Sequence, residues 1–180
     1  MKIKITLFTT FLLLSSIIFS QQYYREEIIF DSTYPKNEIR LNLLESVLGL
    51  PEIDYERMIQ SNFGLGIASA ISILNAEEAE LRYFILPYAR LYFGSTVPAT
   101  GIFIESNAGL MMQAQQNDNL ITNTITTKNY PGFGIGVAMG YKFITSNSWV
   151  GEFTLGFGRV FGNRVIDVYP RVGISLGKRF

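Results

Sequence analysis

The 180-residue chain has no cysteine, no histidine and one tryptophan, and outside its first twenty residues it has no long unbroken apolar run. Without cysteine there is no disulfide framework and no lipid-modified N-terminal cysteine. Cysteine and histidine zinc sites are excluded with it, as is any nucleophile or base of those types. The chain also lacks a concentrated run of basic residues. Nucleic acid is therefore not an expected partner, because binding it requires a dense cationic face to displace counterions.

The one apolar run spans residues 5–19, behind Lys2 and Lys4. That length after a basic start reads as a secretory signal rather than a spanning helix, which needs about 20 apolar residues. Cleavage is expected near Ser20 or Gln21, although Ile18 and Phe19 are not the small residues a cleavage site favours, and an uncleaved signal anchor is the alternative. Removing residues 1–20 leaves 13 basic and 15 acidic residues, a formal charge of −2. The remaining chain is rich in aromatics, at 14% of all residues, so it has enough apolar surface to fold as one domain.

What the chain has in abundance is alternation. Between 132 and 143, Phe133, Ile135, Val137, Met139, Tyr141 and Phe143 alternate with Gly132, Gly134, Gly136, Ala138, Gly140 and Lys142. Successive strand residues point to opposite faces, so one face is wholly apolar and the other tiny or charged. A soluble sheet presents Lys, Glu and Thr to water on its polar face. Bulky apolar residues against glycines suit lipid outside and a narrow interior.

From residue 38 onward the pattern predicts eight strands: 38–48, 52–59, 63–74, 80–93, 101–113, 132–143, 149–160 and 167–180. The expected fold is an all-β, eight-stranded antiparallel up-and-down transmembrane β-barrel over residues 38–180, preceded by a periplasmic arm over 21–37. Pro87 cannot donate a ladder hydrogen bond, so a bulge or bend is expected there. Glu45 falls on the apolar face under simple alternation. Either it sits at the external rim or the first strand ends or bulges before it.

An even strand count puts both ends of the sheet on one side, the periplasmic side for an exported barrel. Phe93, Phe143, Trp149 and Phe180 all fall at that end of their strands, where an interfacial aromatic girdle belongs. The polar stretch 114–129 lies at the opposite end and reads as an exposed loop or a hairpin extension. Its many oxygen-bearing side chains would suit calcium, but such stretches are more often simply solvated.

Charges within the strands must face inward, since lipid does not solvate them. The expected interior network comprises Arg40, Glu56, Arg82, Arg90, Glu105, Lys142, Glu152 and Arg171, with Asp54 beside them. Eight strands enclose a space that side chains can fill, so paired charges plugging the lumen are favoured over a gated ion path. Membrane-embedded lipases, deacylases, palmitoyl transferases and omptin-like proteases built on barrels depend on a histidine. With none here, only carboxylate chemistry remains, and neighbouring arginines would keep those carboxylates ionised. No catalytic residue, cofactor or metal is expected.

The strand starting Ile39 to Leu44, the Tyr55, Glu56, Arg57 sequence of the second strand and the Arg90, Leu91, Tyr92, Phe93 end of the fourth resemble the small eight-stranded outer-membrane barrels, the OmpA transmembrane-domain and OmpX-like group. Within that group the chain resembles the compact barrel-domain members of mostly unknown function. The final strand, with Val172, Ile174, Leu176 and Phe180 at alternating positions, resembles the signal read by the barrel-assembly machinery, with Lys178 departing from the usual apolar residue. The resemblance implies insertion in the bacterial outer membrane, contact with outer-membrane lipid and a non-enzymatic structural or surface-contact role. The alternatives are a subunit of a larger envelope complex docked through residues 21–37, and a secreted lipocalin-like barrel with its large residues pointing inward.

Overall fold

The computed structural model describes residues 34–74, 81–94, 97–119, 124–162 and 166–180, with side chains placed outside 115–126. The signal assigned to 1–20 and nearly all of the arm assigned to 21–37 lie outside the described residues. Eight strands run β1 (Asn37–Asn42), β2 (Glu52–Gln60), β3 (Phe63–Ile71), β4 (Leu81–Tyr92), β5 (Gly101–Asn119), β6 (Thr124–Ile144), β7 (Trp149–Gly162) and β8 (Val168–Arg179), with one short helix, α1 (Leu43–Val47), after β1. Each strand pairs antiparallel with its sequence neighbours, and β1 pairs with β8 to close the barrel. Among the described residues no helix is long and apolar enough to cross a membrane, which says nothing about crossing by strands.

The alternation sorts side chains as the sequence pattern requires. Val137, Leu155 and Ile174 point outward and are 55%, 66% and 45% exposed, whereas Arg90 is 1% exposed inside. The lipocalin-like arrangement needs the reverse, and the geometry is incompatible with it. Outside, a band of Ile, Leu, Val, Phe and Tyr runs round every strand.

Two expectations are corrected. The first strand does not reach residue 48: it stops at Asn42, whose side-chain Oδ1 accepts a hydrogen bond from the Glu45 backbone N–H at 3.3 Å and caps α1. The helix ends in a paired closure, Leu50 N–H to Glu45 carbonyl (2.9 Å) and Gly49 N–H to Ser46 carbonyl (3.2 Å), with Gly49 at φ +84. That left-handed position is why a glycine follows the helix. Glu45 therefore turns inward and is buried.

Pro87 causes no bulge. It faces outward opposite Ile67 with the β3–β4 register unbroken, and the register shift in β4 falls between Leu81 and Tyr83 instead. The missing N–H removes a bond without displacing the chain. Of the two readings of 114–129, an exposed loop or a hairpin extension, its described residues form the extension, with β5 and β6 paired out to Asn119 opposite Thr124.

Candidate functional site

The barrel interior holds the chemistry, and small residues make room for it. On β3, β6 and β7 the inward positions include Gly64, Gly66, Ala68, Gly134, Gly136, Ala138, Gly140, Gly156 and Gly158. Most of the long side chains come from β1, β2, β4, β5 and β8, joined by Lys142 of β6 and Glu152 of β7, and lie across them. A Cβ on Gly66 would collide with the Tyr88 ring, one on Gly140 with Phe103, and one on Gly158 with Tyr169.

Toward the end of the barrel that holds Phe180, the interior is a continuous ion-pair network. Glu38 accepts from Arg40 (2.5 Å), Lys142 (2.8 Å) and Arg179 (2.6 Å). Glu56 is approached by Arg40 (2.9 Å), Lys142 (2.9 Å) and Arg90 (3.0 Å), and also accepts from the Tyr92 hydroxyl. Arg90 bridges further, to Glu152 at 2.8 Å and Glu105 at 2.7 Å, with its guanidinium 4.4 Å from the ring centroids of both Tyr88 and Phe103. Arg171 extends the chain of contacts from Glu105 (3.1 Å) to Asp54 (3.1 Å) and Glu52 (2.6 Å). Each carboxylate at the centre thus meets several cations, the arrangement by which buried charges offset their lost hydration.

The two ends of the interior differ. At the Phe180 end, Arg179 donates to the carbonyls of Pro98 (2.8 Å) and Ala99 (3.1 Å), buried residues that precede β5. At the α1 end an apolar cluster stands beside the last of these ion pairs: Ala68, Ala70, Phe84, Leu86, Met111, Val160 and the rings of Tyr88 and Tyr169 pack together, with Leu50, Leu81 and Ile166 over them. A pocket of about 60 Å³ remains beside this cluster, lined in part by Glu45, Glu52, Tyr169 and Arg171. Burial pushes the Glu45 carboxyl up to about 7, Arg171 opposing the shift and Asp54 reinforcing it.

Of the charged residues singled out in the sequence, Arg40, Glu56, Arg90, Glu105, Lys142, Glu152 and Arg171 meet in this network. Arg82 does not. It lies on the inward side of β4 near the α1 end, half-buried, and donates to the Leu74 carbonyl at 3.3 Å. Glu38, Glu52 and Arg179 belong to the network and were not singled out, although each shares its strand parity with a chosen residue: Glu38 with Arg40, Glu52 with Glu56, Arg179 with Arg171. The inner apolar cluster was missed as well, because β4 is apolar on both faces between Tyr83 and Pro87 and alternation is silent there.

The girdle residues Phe93, Phe143, Trp149 and Phe180 are all exposed at the Phe180 end, with the Phe143 ring lying over the spot where a Cβ on Gly151 would stand. In β8, Ile174 and Leu176 face outward, Val172 is half-buried on the same face, and Phe180 follows the strand, exposed and backbone-bonded to Asn37.

Fold and interior together define a closed eight-stranded antiparallel barrel with a charged, side-chain-filled core. It is similar to the N-terminal β-barrel domain of Pseudomonas aeruginosa OprF, with a TM-score of 0.52 at 16% identity, over 82% of this chain and 98% of that domain. The chain belongs to the family described as protein of unknown function (DUF3575), whose model matches residues 8–172. No curated protein matches it.

Proposed function

We propose that the protein is a non-enzymatic integral barrel of the bacterial outer membrane, with a plugged polar lumen and a structural or surface-contact role. The observation that carries this reading is the inversion of the ordinary sheet: a continuous exposed apolar band outside and ion pairs with fully buried side chains inside. Water on the outside of such a barrel would leave far more contiguous apolar surface exposed than soluble monomers tolerate, whereas hydrocarbon accepts it. The likeness to the OprF barrel domain supports the fold on which the reading depends.

A non-catalytic role is supported by the engagement of the central carboxylates. Glu56, Glu105 and Glu152 each face at least two cations, which disfavours their exchanging protons with a substrate. The surface contribution comes from the α1 end, where the β5–β6 hairpin continues beyond the apolar band. Cell fractionation followed by electrophoresis of the detergent-extracted protein, with and without heating, tests the proposal. Recovery in the outer-membrane fraction with faster migration before heating is expected; recovery in the soluble periplasmic fraction would refute it.

A further inference from the structure

Resting on the outer-membrane reading, we propose that the β8–β1–β2 arc at the Phe180 end binds the headgroup of an anionic glycerophospholipid. Within the barrel wall, the outward-facing charged side chains among the described residues are Arg57, Lys178 and Arg159, and no Asp or Glu side chain faces outward with them. Arg159 lies toward the α1 end, opposite Val168. The other two share the Phe180 end and flank one strand: Arg57 pairs with Asn37 of β1, and Lys178 pairs with Ile39 of β1.

Their backbones are thus two strand spacings apart, about 10 Å sideways, and offset by two residues along β1, about 7 Å. An arginine and a lysine side chain are long enough to reach one phosphate across that span. The ground between them is organised. Asn37 Oδ1 accepts from the Tyr55 hydroxyl at 2.8 Å and from Arg57 Nη1 at 3.4 Å, which turns the Asn37 side-chain N–H groups away from both donors. The Lys178 ammonium lies 5.8 Å from the Trp149 ring centroid, its cross-strand partner.

Three donor groups, Arg57, Asn37 and Lys178, therefore sit between two amphipathic rings at the level of the aromatic girdle. A ring that prefers the headgroup region beside a cation with no Asp or Glu side chain on the same face is the arrangement that selects a phosphate-bearing lipid with net negative charge. This also accounts for Lys178, a charged residue on the outer face of the last strand.

The test uses the full chain in vesicles of phosphatidylcholine alone and of equal parts phosphatidylcholine and phosphatidylglycerol, followed by extraction and native mass spectrometry of retained lipid. Retention of phosphatidylglycerol over phosphatidylcholine by about thirtyfold is expected, as two interfacial cations would give. The preference should fall toward parity in the Arg57→Gln/Lys178→Gln double variant and, for the unaltered chain, at high salt. Emission from Trp149, the sole tryptophan, should shift between the two vesicle types, a readout that needs no variant. Equal retention of both lipids, or a preference unchanged by the double substitution, would overturn the proposal alone. Failure to enter vesicles of either composition would overturn the membrane reading and the proposal with it.

Discussion

Replacing Arg90 by leucine removes the most connected cation in the interior. Its guanidinium contacts Glu56 at 3.0 Å, Glu152 at 2.8 Å and Glu105 at 2.7 Å, and it lies against two aromatic rings. The three carboxylates would not suffer equally. Glu56 keeps Arg40 and Lys142 at 2.9 Å, and Glu105 keeps Arg171 at 3.1 Å, but Glu152 is left with Arg40 at 3.5 Å and Lys142 at 3.7 Å. Stranding a buried charge by deleting its partner costs about 3–5 kcal/mol, and Glu152 is the charge stranded here.

With a urea dependence of roughly 2 kcal/mol per molar, the unfolding midpoint in lipid vesicles should fall by about 2 M. Adding Glu152→Leu should restore part of the loss, because it removes the orphan. A coupling of at least about 1 kcal/mol between the two substitutions is the expected signature. An Arg90→Leu variant within ~1 kcal/mol of the parent, with the Glu152→Leu effect simply additive, would refute the network as a structural unit.

Three further outcomes follow from the same geometry. Glu45 holds its proton more tightly folded than unfolded, so its own contribution to stability should be full below about pH 4.5 and be lost as pH rises through 7. Discounting for partial solvent access, the decline should be about 1–2 kcal/mol by urea titration at pH 5 and pH 8, and Glu45→Gln should flatten it. Gly158→Val would drive a side chain into the Tyr169 ring, whose hydroxyl donates to Asn107; a loss of about 1–3 kcal/mol is expected in the same titration. Leu155→Arg on the outer face should cost about 2–4 kcal/mol in vesicles, while leaving detergent-micelle folding less affected.

Most of the barrel was legible because strand alternation is a strict period and β5, β6, β7 and β8 keep it: Lys142, Glu152 and Arg171 could be assigned inward from parity alone. The charges that meet across the interior could not be paired from sequence, since which strands face each other depends on closure of β1 onto β8. Helix α1 hid inside an apolar stretch that reads equally well as strand. Its signals were nevertheless present, Asn42 three residues before Glu45 at the start and Gly49 at the close, and the misfit of Glu45 marked the spot. The apolar filling at the α1 end was less legible: Phe84, Leu86, Met111 and Val160 look no different in composition from the residues that face out, and only the parity they share with Arg90, Glu105 and Glu152 marks them as inward.

The claim beneath all of this is that the apolar wall contacts hydrocarbon. The chain's single tryptophan makes a direct measurement possible: Trp149→Phe with Leu155→Trp places the one fluorophore in the middle of the outer band, opposite Met139 and Val172. In vesicles whose lipids carry bromine on their acyl chains, the account predicts strong quenching of that tryptophan and negligible quenching by aqueous iodide. Emission that iodide quenches and brominated lipid does not would contradict it.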